Sequence, residues 1–103
     1  MLPKTERMTK QDFKVFRPKG VFRGTYVDIA AIPATNTRFA CVISKKRMSH
    51  AVDRNRARRK VYSFLVENKP STPHLIVMYP KVGILTGDRT RILEEIRQSF
   101  ATL

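Results

Sequence analysis

Along the chain the spacing of apolar residues changes several times, and each change marks an element. Thr9-Lys10-Gln11-Asp12 has capping-box spacing, with a hydroxyl placed for the amide three residues on and a carboxylate near the positive end of a helix. It predicts a short first helix carrying Phe13 and Phe16 on one side, which stops near Arg17. Pro18 disfavours helical geometry in the residue before it, and Gly20 opens a turn. Val21 to Ile32 is rich in β-branched and aromatic residues and reads as a strand or two closely linked strands. Pro33 to Thr37 reads as a turn. Arg38 to Ser44 is a second strand, with Phe39, Cys41 and Ile43 facing one way and Ala40, Val42 and Ser44 the other. Together these stretches suggest a hairpin.

Ala51 to Asn68 contains neither Gly nor Pro and reads as the longest helix. Pro70-Ser71-Thr72-Pro73 interrupts the chain, and His74 to Tyr79 follows as a short, nearly continuous apolar run ended by Pro80, which suits a buried central strand. Gly83 to Gly87 reads as loop and Asp88 as an N-cap. Ile92, Leu93, Ile96 and Phe100 then recur at helical spacing. The order predicts an α+β sandwich, with helices packed on a small sheet. No repeat or long linker divides the chain, so residues 1–103 are expected to form one domain.

Charge changes this picture most. Lys and Arg number 21 against 8 Asp and Glu, a formal +13, and such self-repulsion normally persists where a polyanion relieves it. Nucleic acid is the leading partner. A membrane surface is disfavoured because the basic segments lack a long apolar face with interfacial Trp, and the chain has no Trp. The lone Cys41 rules out an intrachain disulfide and suits a reducing, cytoplasmic setting.

Lys45, Lys46, Arg47, Arg54, Arg56, Arg58, Arg59 and Lys60 crowd one stretch, opposed there only by Asp53. At about 100° per residue, Ala57, Val61, Phe64 and Leu65 gather on one side of the helix, and Asn55, Arg56, Arg59 and Lys60 cover much of the other. Arg54 and Arg58 fall at the border, where their stems can lie on apolar surface while their guanidinium groups reach outward. Planar guanidinium groups bind phosphate bidentately and stack on bases, so the Arg bias fits structured RNA. Asn55 suits a 2′-hydroxyl, a base edge or a backbone bond at the helix start. Catalytic patterns are missing: His50 and His74 lie in separate segments, the acids are scattered, and no Gly-rich phosphate loop occurs.

Ser44-Lys45-Lys46 followed by Ala51-Val52-Asp53-Arg54-Asn55-Arg56-Ala57-Arg58-Arg59 closely resembles the signature of the protein subunit of bacterial ribonuclease P. In that family a Ser-Lys-Lys strand end leads into an Ala-Val-x-Arg-Asn-Arg-x-(Lys/Arg)-Arg helix. Asp12-Phe13, Val15-Phe16, the strand at His74 to Tyr79 and the closing helix extend the likeness over nearly the whole chain.

The resemblance implies a small mixed sheet with three helices in the order α-β-β-β-α-β-α, including a left-handed βαβ crossover. It implies a protein cofactor of a catalytic RNA that uses bound Mg²⁺ to cleave precursor tRNA at its 5′ end, with no metal held by the protein alone and no catalytic residue in this chain. Carried over, Arg54, Asn55, Arg56, Arg58 and Arg59, with Lys60 and Lys46, would contact the catalytic RNA. Phe13, Phe16 and Lys45 would line a cleft for the single-stranded 5′ leader. Tyr62-Ser63 stands where the family commonly has an Arg-Glu or similar pair, leaving Lys60 as a partial replacement, and the first helix is short. The bland rival is a ribosomal or other structured-RNA-binding protein.

Overall fold

Thr9 and Asp12 exchange both bonds of the predicted capping box. The Asp12 amide donates to Thr9 Oγ1 at 3.2 Å and the Thr9 amide to Asp12 Oδ2 at 2.8 Å. Helix α1 (Lys10–Val15) starts there and ends at Phe16, which is already extended ahead of Pro18. The computed structural model describes residues 3–103; Met1 and Leu2, the first two residues of the expected domain, lie outside the described residues.

The stretch expected as one or two strands forms two, β1 (Val21–Phe22) and β2 (Val27–Pro33), paired antiparallel with Val21 opposite Ala30. β3 (Arg38–Cys41), helix α2 (Ala51–Leu65), β4 (His74–Pro80) and helix α3 (Arg89–Ala101) follow, with a 3-10 turn at Val82–Leu85 inside the stretch read as loop. The strands lie in the order β1-β2-β4-β3. β4 is therefore central, as its apolar run predicts, antiparallel to β2 and parallel to β3.

The expected β2/β3 hairpin does not form. Residues 34–37 instead cross the start of β4, where the Ala34 amide donates to Pro73 O at 3.1 Å. β4 then takes the edge of β2 that β3 would have used, and β3–α2–β4 becomes a parallel βαβ unit. β3 is also shorter than predicted, although the Val42 amide still donates to Met78 O and Ile43 stays buried. α2 stops three residues short of Asn68, whose side-chain amide donates to Phe64 O and caps the last turn. Asp88 occupies the N-cap position of α3 without a side-chain bond.

One sheet face carries Val27, Ile29, Phe39, Cys41, Ile76 and Met78, and packs on Ala57, Val61, Phe64 and Leu65 of α2 and Ile92, Ile96 and Phe100 of α3. This answers why an arginine-rich helix forms at all. Burying side chains such as Val61, Phe64 and Leu65 stabilises by about 2 kcal/mol each, whereas like charges one turn apart, Arg54 with Arg58 and Arg56 with Lys60, cost a few tenths each. The opposite sheet face carries Asp28, Ala30, Leu75, Val77 and Tyr79. α1 is tied to this side of the sheet by Arg38 Nη1, 3.2 Å from Asp12 Oδ2. The Thr9 amide and then Arg38 hold the Asp12 carboxyl below its usual value.

Two clamps set the ends. The Glu95 carboxylate of α3 accepts from the amides of Thr25, Tyr26 and Val27 at 2.6, 2.9 and 3.0 Å, fixing the β1–β2 turn. Gly24 is required beneath it, since a Cβ there would lie 2.6 Å from the Glu95 carboxyl carbon and 2.4 Å from Val27 O. At the N-terminal side, Lys69 pairs with Glu6, and the Met8 amide donates to Phe39 O at 2.9 Å, so residues 6–8 run along the outer edge of β3.

Candidate nucleic-acid interface

α2 buries the four residues its periodicity predicts and presents the rest. Asn55, Arg56 and Arg59 are exposed, and Arg58 and Lys60 are half-buried. The single acid near them competes weakly: Asp53 Oδ1 sits 4.0 Å from Arg56 Nη1, whose side chain remains 65% exposed. Among the described residues Asn55, Arg58 and Arg59 take no side-chain hydrogen bond or ion pair. Guanidinium groups held on a rigid helix and left without internal partners are placed for external phosphate.

The basic stretch divides by role. Lys45 and Lys46 are exposed in the turn after β3. Arg54 departs from the expected outward reach: its Nη1 donates to Met48 O at 2.9 Å and Ser49 O at 3.1 Å, folding the guanidinium back onto the connector. Lys60 Nζ reaches Gly87 O at 3.4 Å, tying α2 to the loop before α3. Arg47 points to the opposite sheet face, where Nη1 donates to Tyr79 O and Nη2 lies 3.6 Å from Asp28.

Asp28 is the centre of that second cluster, and no sequence motif assigns it a role. It is 3% exposed. Lys81 Nζ stands 3.1 Å from its Oδ1 and Arg23 Nη1 3.6 Å from its Oδ2, and the Gly24 amide donates to Oδ1 at 3.1 Å. Lys81 also donates to Gly24 O. Burial alone would raise this carboxyl; the Lys81 and Gly24 hydrogen bonds with the Lys81 and Arg47 charges outweigh it and hold the group below its usual value. The available signal was an acid inside an apolar strand of a strongly basic chain, which has to be paired.

A groove of about 580 Å³ runs along α2, lined by Asn55, Arg58, Arg59, Tyr62 and, from the N-terminal segment, Arg7. The four α2 residues stand at i, i+3, i+4 and i+7, one stripe of the helix. No sequence signal links Arg7 to it, because the strand-edge pairing of residues 6–8 brings it there. Burial pushes the Tyr62 phenol up, aided by Cys41 beside it, while Arg58 and Arg7 act in the opposite sense. Burial likewise pushes the Cys41 thiol up to about 12, so it stays protonated and unreactive at neutral pH.

The expected leader cleft is less assembled. Phe13 is 44% exposed on α1 and Phe16 is half-buried at its end. A groove of about 360 Å³ beside α1 is lined by Asp12, Val15 and Arg38 among others, and one of about 240 Å³ by Pro18, Arg23, Asp28 and Arg47 among others. Neither is lined by Phe13, Phe16 or Lys45. Among the described residues, no group of three or more His, Cys, Asp or Glu gathers as a metal site, and no helix is long and apolar enough to cross a membrane.

A model of the family described as Ribonuclease P matches residues 2–103. The chain is 35% identical over 68 residues to a ribonuclease P protein component of Prochlorococcus marinus, covering 62% of this chain and 53% of that protein, about half its length. It is 30% identical over 93 residues to the ribonuclease P protein component of Coprothermobacter proteolyticus, covering 88% of this chain and 77% of that one. Its fold is similar to those of the RNase P protein from Thermotoga maritima, with a TM-score of 0.79, 19% identity and coverage of 95% and 97%, and the Staphylococcus aureus RNase P protein, with a TM-score of 0.71, 17% identity and coverage of 96% and 95%.

Proposed function

The chain belongs to the ribonuclease P protein family, and we propose that it serves in the cytoplasm as the protein component of a ribonuclease P that matures the 5′ end of tRNA. In this reading the catalytic RNA cleaves the phosphodiester, and the protein binds that RNA and the 5′ leader of the precursor. The observation that carries it is the outward flank of α2, where Arg56 and Arg59 stand exposed and essentially unpaired on a helix anchored by its other side.

Each side chain then has a separable role. Arg56, Arg58 and Arg59, with Lys46, supply phosphate contacts to the catalytic RNA, and Asn55 supplies a neutral donor and acceptor for a 2′-hydroxyl or base edge. Arg54 and Lys60 contribute partly by holding the connector and the Gly87 loop to the helix. Phe13 and Phe16, together with Lys45, serve the leader in this reading, since aromatic rings and positive charge bind unpaired bases without regard to sequence. In this reading Mg²⁺ is assigned to the catalytic RNA; two of this chain's carboxylates, Asp12 and Asp28, are engaged by Arg and Lys partners.

Reconstitution with the cognate catalytic RNA tests the reading. The protein should raise the cleavage rate of leader-bearing precursor above that of leader-free substrate, and Phe16→Ala should lower affinity for the former while leaving assembly with the catalytic RNA unchanged. Equal effects of the protein on both substrates would remove the leader role, and no effect on either would remove the ribonuclease P role.

A further inference from the structure

The groove between Arg7 and α2 has the form of a slot. One wall is the α2 stripe of Asn55, Arg58, Arg59 and Tyr62; the other is Arg7, held by the run of residues 6–8 along β3 and by the Lys69–Glu6 pair. Its volume of about 580 Å³ lies within the range of sites that enclose a small organic group. Charge and surface are divided within it: three guanidinium groups suit phosphate, and the half-buried Tyr62 ring offers the aromatic surface.

We infer that this slot takes one unpaired nucleotide projecting from otherwise structured RNA, its base on the Tyr62 ring and its phosphates between Arg7 and Arg58/Arg59. The inference rests on the RNA-binding reading above and deepens it. A paired base keeps its faces inside the stack and meets protein through backbone and groove edges, so a continuous duplex would engage the arginines but leave Tyr62 unused. A single nucleotide turned out of the stack uses all of them. Arg7 would thus add a guanidinium from the N-terminal segment to those that Arg58 and Arg59 of α2 bring to the slot.

The full chain, titrated with an RNA hairpin carrying one unpaired 2-aminopurine nucleotide and with the fully paired hairpin, tests this. The bulged RNA should bind more tightly, with a change in 2-aminopurine emission. Tyr62→Phe should retain both effects. Tyr62→Leu, which keeps apolar volume without an aromatic face, should lose the emission change and at least about five-fold of the preference, the lower end of base–aromatic stacking. Arg7→Ala should weaken the bulged complex more than the paired one. Equal binding of both hairpins by the wild-type chain overturns the inference, as does a preference that survives in a folded Tyr62→Leu. Should Tyr62→Leu fail to fold, an unchanged preference in Arg7→Ala overturns it instead.

Precursor cleavage by the reconstituted holoenzyme reports on the ribonuclease P reading separately: enhanced cleavage without a bulge preference removes the slot alone. In the same assay, losses by Tyr62→Leu on leader-bearing and leader-free substrates alike place the nucleotide in the catalytic RNA. Losses confined to leader-bearing substrate place it in the leader.

Discussion

Two cationic regions of this protein use the same residue types to opposite ends. On the α2 flank Arg56 and Arg59 meet only one acid, at 4.0 Å and near solvent, and their charge is left for a partner. On the far face of the sheet Arg23, Arg47 and Lys81 converge on Asp28, which is buried beneath them. The difference lies in the burial of a single carboxylate. A buried acid cannot stand unpaired, so it draws cations inward and turns them into ties between the β1–β2 turn, the connector after β3 and the end of β4. A surface acid has no such hold.

The comparison breaks most readily at Asp28. Asp28→Ala removes the shared anion and leaves three cations and the Gly24 amide facing one another, so urea unfolding should show a loss of about 3 kcal/mol; a loss below about 1 kcal/mol would make the cluster peripheral to stability. On the other side, Arg59→Ala should leave unfolding unchanged within about 0.5 kcal/mol. It should still weaken binding of the catalytic RNA and reduce the log-log salt slope by roughly one unit for each phosphate the side chain neutralises. An unchanged slope would show that Arg59 is merely solvated.

Arg54 straddles the two regimes and sharpens the boundary between them. Arg54→Ala deletes two carbonyl bonds that fasten the connector, and a stability loss of about 1 to 2 kcal/mol should accompany any loss of RNA affinity; affinity loss alone would return Arg54 to the outward group.

The smallest effect is expected from acid. The folded-state values of Asp12 and Asp28 are both depressed, so their contribution is present above the unfolded carboxylate value near about 4 and fades as pH falls through the lower folded values. Stability measured from neutral pH downward should be flat until about pH 4 and then decline, and Asp28→Asn should shallow that decline.

Much of the fold was legible because local physics decides it. The Thr9/Asp12 box, the buried stripe of α2 and the apolar run of β4 each follow from spacing within one segment. The hairpin expectation fails because strand partnership is not local: Phe39 and Cys41 show which face they bury, but not that β4 comes between β3 and β2. For the same reason the stripe of α2 could be drawn on a helical wheel, while Arg7 reaches it only through the edge of β3. The inward turn of Arg47 and Arg54 was equally hidden, since composition counts charges without locating the acceptors that claim them.

The Glu95 clamp bears on the order of events in a growing polypeptide. Its three acceptor bonds join residues separated by 70, 69 and 68 positions, so the amides of Thr25, Tyr26 and Val27 lack these acceptors until Glu95 has been made. Pairings of such long separation form late, after the entropy of closing the loop between them has been met. The turn carrying Arg23 would therefore settle only after translation has passed Glu95, and the Asp28 cluster would be completed among the final steps of folding.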